Sequence, residues 1–180
     1  MKIIIDANLP NLSVDVIDFL KSEYGVEEIK KIYVDTKDDV IYREAKKDNF
    51  DFIITRDDDF EPFIENDLRL SKNEDKARGI PRIIFFAKNN GMQQDELEKF
   101  MLLNIATLKR LSGVINNNGH KARQYFTCQS DTSEPNTSKP DIFSKILKEE
   151  KADILQRFEA FKQNRSPSKK RASAKRKVAP

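Results

Sequence analysis

The residues with the clearest chemical potential are aspartates. Asp6 follows three isoleucines, Asp38 and Asp39 stand side by side, and Asp57 and Asp59 follow the apolar run at 50–55. Imidazole and thiolate chemistry have little to draw on. The chain holds one histidine, His120 in a solvated NNNG turn, and one cysteine, Cys128. Carboxylates brought close together resist joint ionisation unless a positive charge sits among them. A divalent cation relieves that repulsion, and Mg²⁺ takes carboxylate oxygens while keeping several waters. Such a centre activates water and stabilises charge on a phosphodiester under in-line attack. Zinc, with its preference for sulfur and imidazole, is not expected.

A lone aspartate after a strand is ordinarily a turn former or helix cap. Asp38, Asp39 and Asp58 have the stronger capping case, while Asp6 and Asp57 together have the weaker one. Their claim rests on convergence, so the elements that carry them matter. Lys2 to Asp6 reads as a short buried strand of β-branched residues without polar alternation. Leu12, Val16, Phe19, Leu20 and Tyr24 recur at helical spacing, with Gly25 as the stop. Ile29 to Val34 alternates as a second strand. A helix capped by Asp38 or Asp39 runs to about Asn49, with Val40, Ile41 and Ala45 inward. Residues 50–55 form a third strand, a short helix covers 62–70, and RIIFF at 82–86 forms a fourth strand. A long amphipathic helix follows over 93–115, and 122–127 reads as an edge strand. This alternation predicts a three-layer α/β fold, with a mostly parallel sheet of four to five strands and helices on both faces. In such sheets ligands bind outside the carboxyl ends of the strands, near the switch point of the winding. Asp6, Asp57 and Asp59 follow strand ends, and Asp38 and Asp39 lie between a strand and a helix, so the acids are predicted to meet at one rim.

The net charge of +3 conceals an asymmetry. Residues 129–180 carry 13 basic and 7 acidic side chains, net +6, which leaves 20 basic and 23 acidic ahead of them, net −3. Residues 1–128 read as the domain, and 129–140 (QSDTSEPNTSKP) as a polar linker. Residues 141–164 read as an amphipathic helix with Phe143, Leu147, Ile154, Phe158 and Phe161 near one face. That helix is expected to pack back on the domain. Residues 165–180 read as a disordered basic tail, suited to weak, salt-sensitive attraction to a phosphate backbone. No run approaches a membrane span, the first ten residues do not read as a signal peptide, and a lone cysteine fits a reducing, cytoplasmic setting.

At the acidic residues the sequence resembles the PIN-like nucleases, and more narrowly a short bacterial PIN-like group related to the toxins of toxin–antitoxin pairs. The resemblance rests on MKIIIDANLP, on DDVIYREAKKDNFDFIITRDDDF and on RIIFF, and spans residues 1–128. It implies a Mg²⁺- or Mn²⁺-dependent endoribonuclease, with RNA as substrate, an antitoxin protein as partner and room for a homo-oligomer. It implies Asp6, Asp57 and Asp59 as metal ligands and Asp38 or Asp39 as the further catalytic acid. Asn8 and Thr55 would position ligands or substrate by hydrogen bonding, and Asp58 would point away. The second acid is commonly Glu in full-size members, whereas this chain offers an Asp with a shorter arm. A non-catalytic nucleic-acid or protein-binding module is the alternative. Phosphoryl acceptance on Asp57 is disfavoured, because the first strand is followed by Asp6, Ala7 and Asn8, where a receiver has two adjacent acids.

Overall fold

The segments KIII, FIIT and RIIFF place apolar residues on both sides of the pleat, so they need cover on both faces of a sheet. They form the centre of the computed structural model, which describes residues 1–33, 36–70, 80–86, 93–116, 125–128 and 148–165. The strands are β1 (Lys2–Ile5), β2 (Glu28–Lys31), β3 (Phe52–Thr55), β4 (Arg82–Phe86) and β5 (Tyr125–Cys128). The helices are α1 (Val14–Tyr24), α2 (Asp38–Lys47), α3 (Glu61–Leu70), α4 (Gln94–Asn116) and α5 (Lys148–Arg165), with a 3₁₀ turn at Asp58–Phe60. Every strand pairing is parallel, in the order β2-β1-β3-β4-β5. The chain steps from β1 out to β2, then returns past β1 to β3. Its winding therefore reverses between β1 and β3.

Strand alternation divides the interior in two. Ile3, Ile5, Phe52, Ile54, Ile84 and Phe86 meet α1, α4 and α5 through Val16, Phe19, Phe100, Met101, Ile154 and Phe158. Ile4, Ile53 and Ile83 meet the other layer through Ile41, Tyr42, Ala45, Phe60 and Ile64. A period of 2 in the strands thus feeds helices on both faces.

Local signals set the element ends. The Ser13 Oγ accepts from the Val16 N–H at 3.4 Å and caps α1, while the Ser13 N–H donates to the Glu98 carboxylate of α4. Gly25 ends α1 with φ 63°, a left-handed position that costs glycine no Cβ clash. At α2 the expected cap is corrected. Lys37 occupies the N-cap without a side-chain bond, and Asp38 and Asp39 lie within the first turn. Val40 is corrected too, being 40% exposed, whereas Tyr42 turns inward and donates its hydroxyl to Asp67 Oδ2 at 2.7 Å. The second strand, expected over Ile29 to Val34, is described over Glu28–Lys31; Ile32 remains buried beyond it, and Val34 lies outside the described residues.

The helix expected over 141–164 is described from Lys148 to Arg165. Ile154 and Phe158 are buried in the core shared with α1 and α4, and Leu155 and Phe161 pack against it. Phe19 of α1 meets Phe158 at 5.2 Å and Phe161 at 5.4 Å between ring centroids. Arg157 pairs with Glu23, and Arg165 with Asp18, so α5 runs antiparallel along α1. Residues 141–147, the linker at 129–140, the tail from 166 and His120 lie outside the described residues. Among the described residues no helix is long and apolar enough to cross a membrane.

Candidate metal centre

β1 and β3 are neighbours, with Ile5 opposite Ile54, so the residues just beyond them meet at the rim. The Asp6 N–H donates to the Ile54 carbonyl at 2.9 Å and extends the ladder by one step. Its side chain is then buried, at 6% exposure. A carboxylate so buried needs hydrogen bonds, and both oxygens have them. Oδ1 accepts from the Ala7 N–H at 2.6 Å, and Oδ2 accepts from the Thr55 hydroxyl at 2.7 Å. The fully buried Thr55 Oγ1 also accepts from the Asp57 N–H at 2.9 Å. Asp57 Oδ1 in turn accepts from the Asp59 N–H at 3.2 Å. One buried hydroxyl therefore couples the end of β1 to the acidic turn after β3.

The turn is braced from two more sides. The exposed Asn8 accepts from the Arg56 N–H at 3.3 Å through Oδ1. Lys31, at the end of β2, donates to the carbonyls of Asp6 and Leu9, the latter at 2.6 Å. Burial lowers the Lys31 pKa, and the Asp6 charge opposes that shift. Lys31 was not among the residues singled out from sequence. Its signal was a lysine at the carboxyl end of a strand, where an apolar residue would otherwise extend the core.

Asp38, Asp57 and Asp59 each offer a carboxylate oxygen within 4.8 Å of the others. Asp38 arrives because α2 begins there and packs against the 58–60 turn. The adjacent Asp39 does not join them, since its Oδ2 pairs with Arg43 at 2.8 Å one helical turn on. Asp6 is not one of the three, but its charge reaches them. Burial raises the Asp38 pKa, and the charges of Asp57, Asp6, Asp59 and Asp39, in that order, raise it further.

This donor set suits a hard divalent cation. A Mg–O bond of about 2.1 Å places oxygens on opposite sides of the ion about 4.2 Å apart. A spread of 4.8 Å is therefore a small contraction away. Asp6 retains a second lone pair on each oxygen, so its two hydrogen bonds leave it acceptor capacity. No protein-family model matches this chain, and no curated protein or solved structure matches it.

The raised Asp38 pKa carries a stability consequence. A carboxyl group that holds its proton more tightly when folded stabilises the protein fully only below its unfolded pKa. That contribution is lost as pH rises through the folded value, so the ionised group at pH 7 is a cost. In EDTA at pH 7, Asp38→Asn is expected to raise the melting midpoint by about 1–3 °C, the size being limited by solvent screening. Below pH 4 the difference should vanish, and Mg²⁺ should stabilise only the wild type. Thermal scans across pH check this; a less stable Asp38→Asn protein at pH 7 in EDTA would contradict it.

Proposed function

We propose that this chain is a metal-dependent nuclease of PIN-like type, a Mg²⁺- or Mn²⁺-dependent endoribonuclease, and the toxin half of a toxin–antitoxin pair. The observation that carries the reading is the grouping of Asp38, Asp57 and Asp59 beside buried Asp6, at the reversal point of a parallel sheet. Open parallel sheets bind ligands at this place. The choice of RNA, and of an antitoxin as protein partner, comes from the sequence resemblance. A cytoplasmic setting accords with the lone cysteine.

The residues divide the work. Asp38, Asp57 and Asp59 would hold the cation, which supplies a Lewis acid and a lowered pKa for bound water. Asp6, locked by Thr55 and Ala7, holds a fixed negative charge behind them. Thr55 orients the Asp57 backbone, and Lys31 fixes the turn that carries Asp6. Such preorganisation spares the site reorganisation at the moment of reaction. The test is cleavage of single-stranded RNA by the full chain with Mg²⁺, with Mn²⁺ and with EDTA. Cleavage with either metal and none in EDTA is expected; no metal-dependent cleavage would overturn the catalytic reading.

A second reading, a PIN-like binding module without turnover, is favoured by the shorter arm of Asp38 in place of the commoner Glu. In it the chain retains RNA affinity while no metal supports cleavage.

A further inference from the structure

The turn that follows Asp6 also lines an open cavity of about 560 Å³. Ala7, Pro10 and Asn11 contribute from the loop after β1, Tyr33 from beyond β2, and Gln94 and Leu97 from the start of α4. Three features of this cavity point to one kind of occupant. Its size lies within the roughly 300–1,000 Å³ of small-molecule sites, far larger than an ion needs. Its lining includes Tyr33, which at 78% is the most exposed large hydrophobic side chain among the described residues. A lone exposed aromatic means little by itself; one set in the wall of a cavity offers a flat face to a flat ligand. The remaining lining mixes apolar residues with Lys31, whose ammonium is engaged by the carbonyls of Asp6 and Leu9, and with the amides of Asn11 and Gln94, each able both to donate and to accept. Location adds the last element. Ala7 lines the cavity, and the preceding residue is Asp6, whose charge bears on Asp38.

We propose that this cavity is a nucleobase subsite: it takes the base next to the phosphate held at the acidic centre, with Tyr33 stacked on that base and Asn11 and Gln94 at its polar edge. The assignment rests on the nuclease reading above for the position of the phosphate. It selects single strands, because a paired base has its faces covered by its neighbours, whereas an unpaired one presents a π face. Every base has such a face, so stacking on Tyr33 tolerates sequence, and the two amides supply whatever preference exists.

The test measures binding by the full chain in EDTA, which prevents cleavage, and again with Ca²⁺, which restores a divalent cation among the carboxylates. The probes are fluorescent oligoadenylate and oligouridylate, their deoxy counterparts, AMP and an RNA duplex. Tyr33→Ala is expected to weaken single-strand binding by about 5- to 100-fold, and Tyr33→Phe to retain it. The salt dependence should keep its slope, since no phosphate contact is lost. Thermal midpoints equal to wild type would establish that both variants fold. The proposal is overturned if Tyr33→Ala binds like wild type, if duplex binding falls as far as single-strand binding, or if only AMP depends on Tyr33. Tyr33-dependent binding with no metal-dependent cleavage would overturn the nuclease reading and leave the base subsite standing. Metal-dependent cleavage with unaltered binding by Tyr33→Ala would do the reverse.

Discussion

Asp57→Asn is expected to lower metal-dependent RNA cleavage by about 10²- to 10⁴-fold, on the basis that a metal centre supplies several kcal/mol of charge stabilisation and each 1.36 kcal/mol is a factor of ten. Asp57 joins the parts of the site. Its N–H is held by Thr55, its Oδ1 orders the Asp59 backbone, and its charge is the largest acting on Asp38. Replacing one oxygen by an amide nitrogen removes a ligand and a unit of charge with little change in shape. Asp39→Asn is the matched control. That residue lies one position from Asp38 yet pairs outward with Arg43, and an exposed pair contributes only about 0–1 kcal/mol. Its cleavage rate should stay within about threefold of wild type. Rates measured across Mg²⁺ concentrations decide the matter. Equal losses in the two variants would remove the geometric distinction between them, and activity in Asp57→Asn would remove the centre.

The largest stability effect is expected at α5. Phe158 is buried against Phe19, and Phe161 meets the same ring. Phe158→Ala is expected to cost about 3–5 kcal/mol, which for a chain of this size is a fall of about 6–20 °C in the melting midpoint. The neighbouring Arg157→Ala, which breaks the pair with Glu23, should cost about 1 kcal/mol or less. Apolar burial therefore outweighs charge pairing as the cause of docking, although the ion pairs fix the direction of α5 along α1. Hydrogen exchange distinguishes two outcomes. If α5 is part of the domain, α1 and α4 lose protection together with it; if it is an appendage, only 148–165 loses protection and the main transition stays put.

Much of this arrangement was readable in one dimension. KIII, FIIT and RIIFF are too apolar and too β-branched to be anything but covered strands, and each lies within two residues of where the pattern put it. Asp6 and Asp57 could be placed at strand ends for the same reason. Element ends that depend on caps were harder to read. Asp38 and Asp39 both suit an N-cap chemically, yet Lys37 takes the position, and the two acids enter the first turn. Val40 was expected inward and proves exposed, whereas Ile41 and Ala45 are buried as expected. The buried face runs through Ile41, Tyr42 and Ala45, and Val40 lies about 100° round the helix from Ile41, off its edge.

The acidic centre shows where local reading ends. The chain order already dictated which residue types could supply oxygen ligands, and that they follow strands. A step of one residue in a helix is about 100° of rotation, so only the packing of α2 on the 58–60 turn decides that Asp38 faces Asp57 while Asp39 faces Arg43. Likewise only the parallel pairing of β1 with β3 brings Thr55 to Asp6 across 49 residues. The Lys31 brace and the Tyr33 cavity also depend on contacts between distant segments. Spacing along the chain encodes periodicity and composition; the direction in which a side chain finally points is set by its neighbours in space.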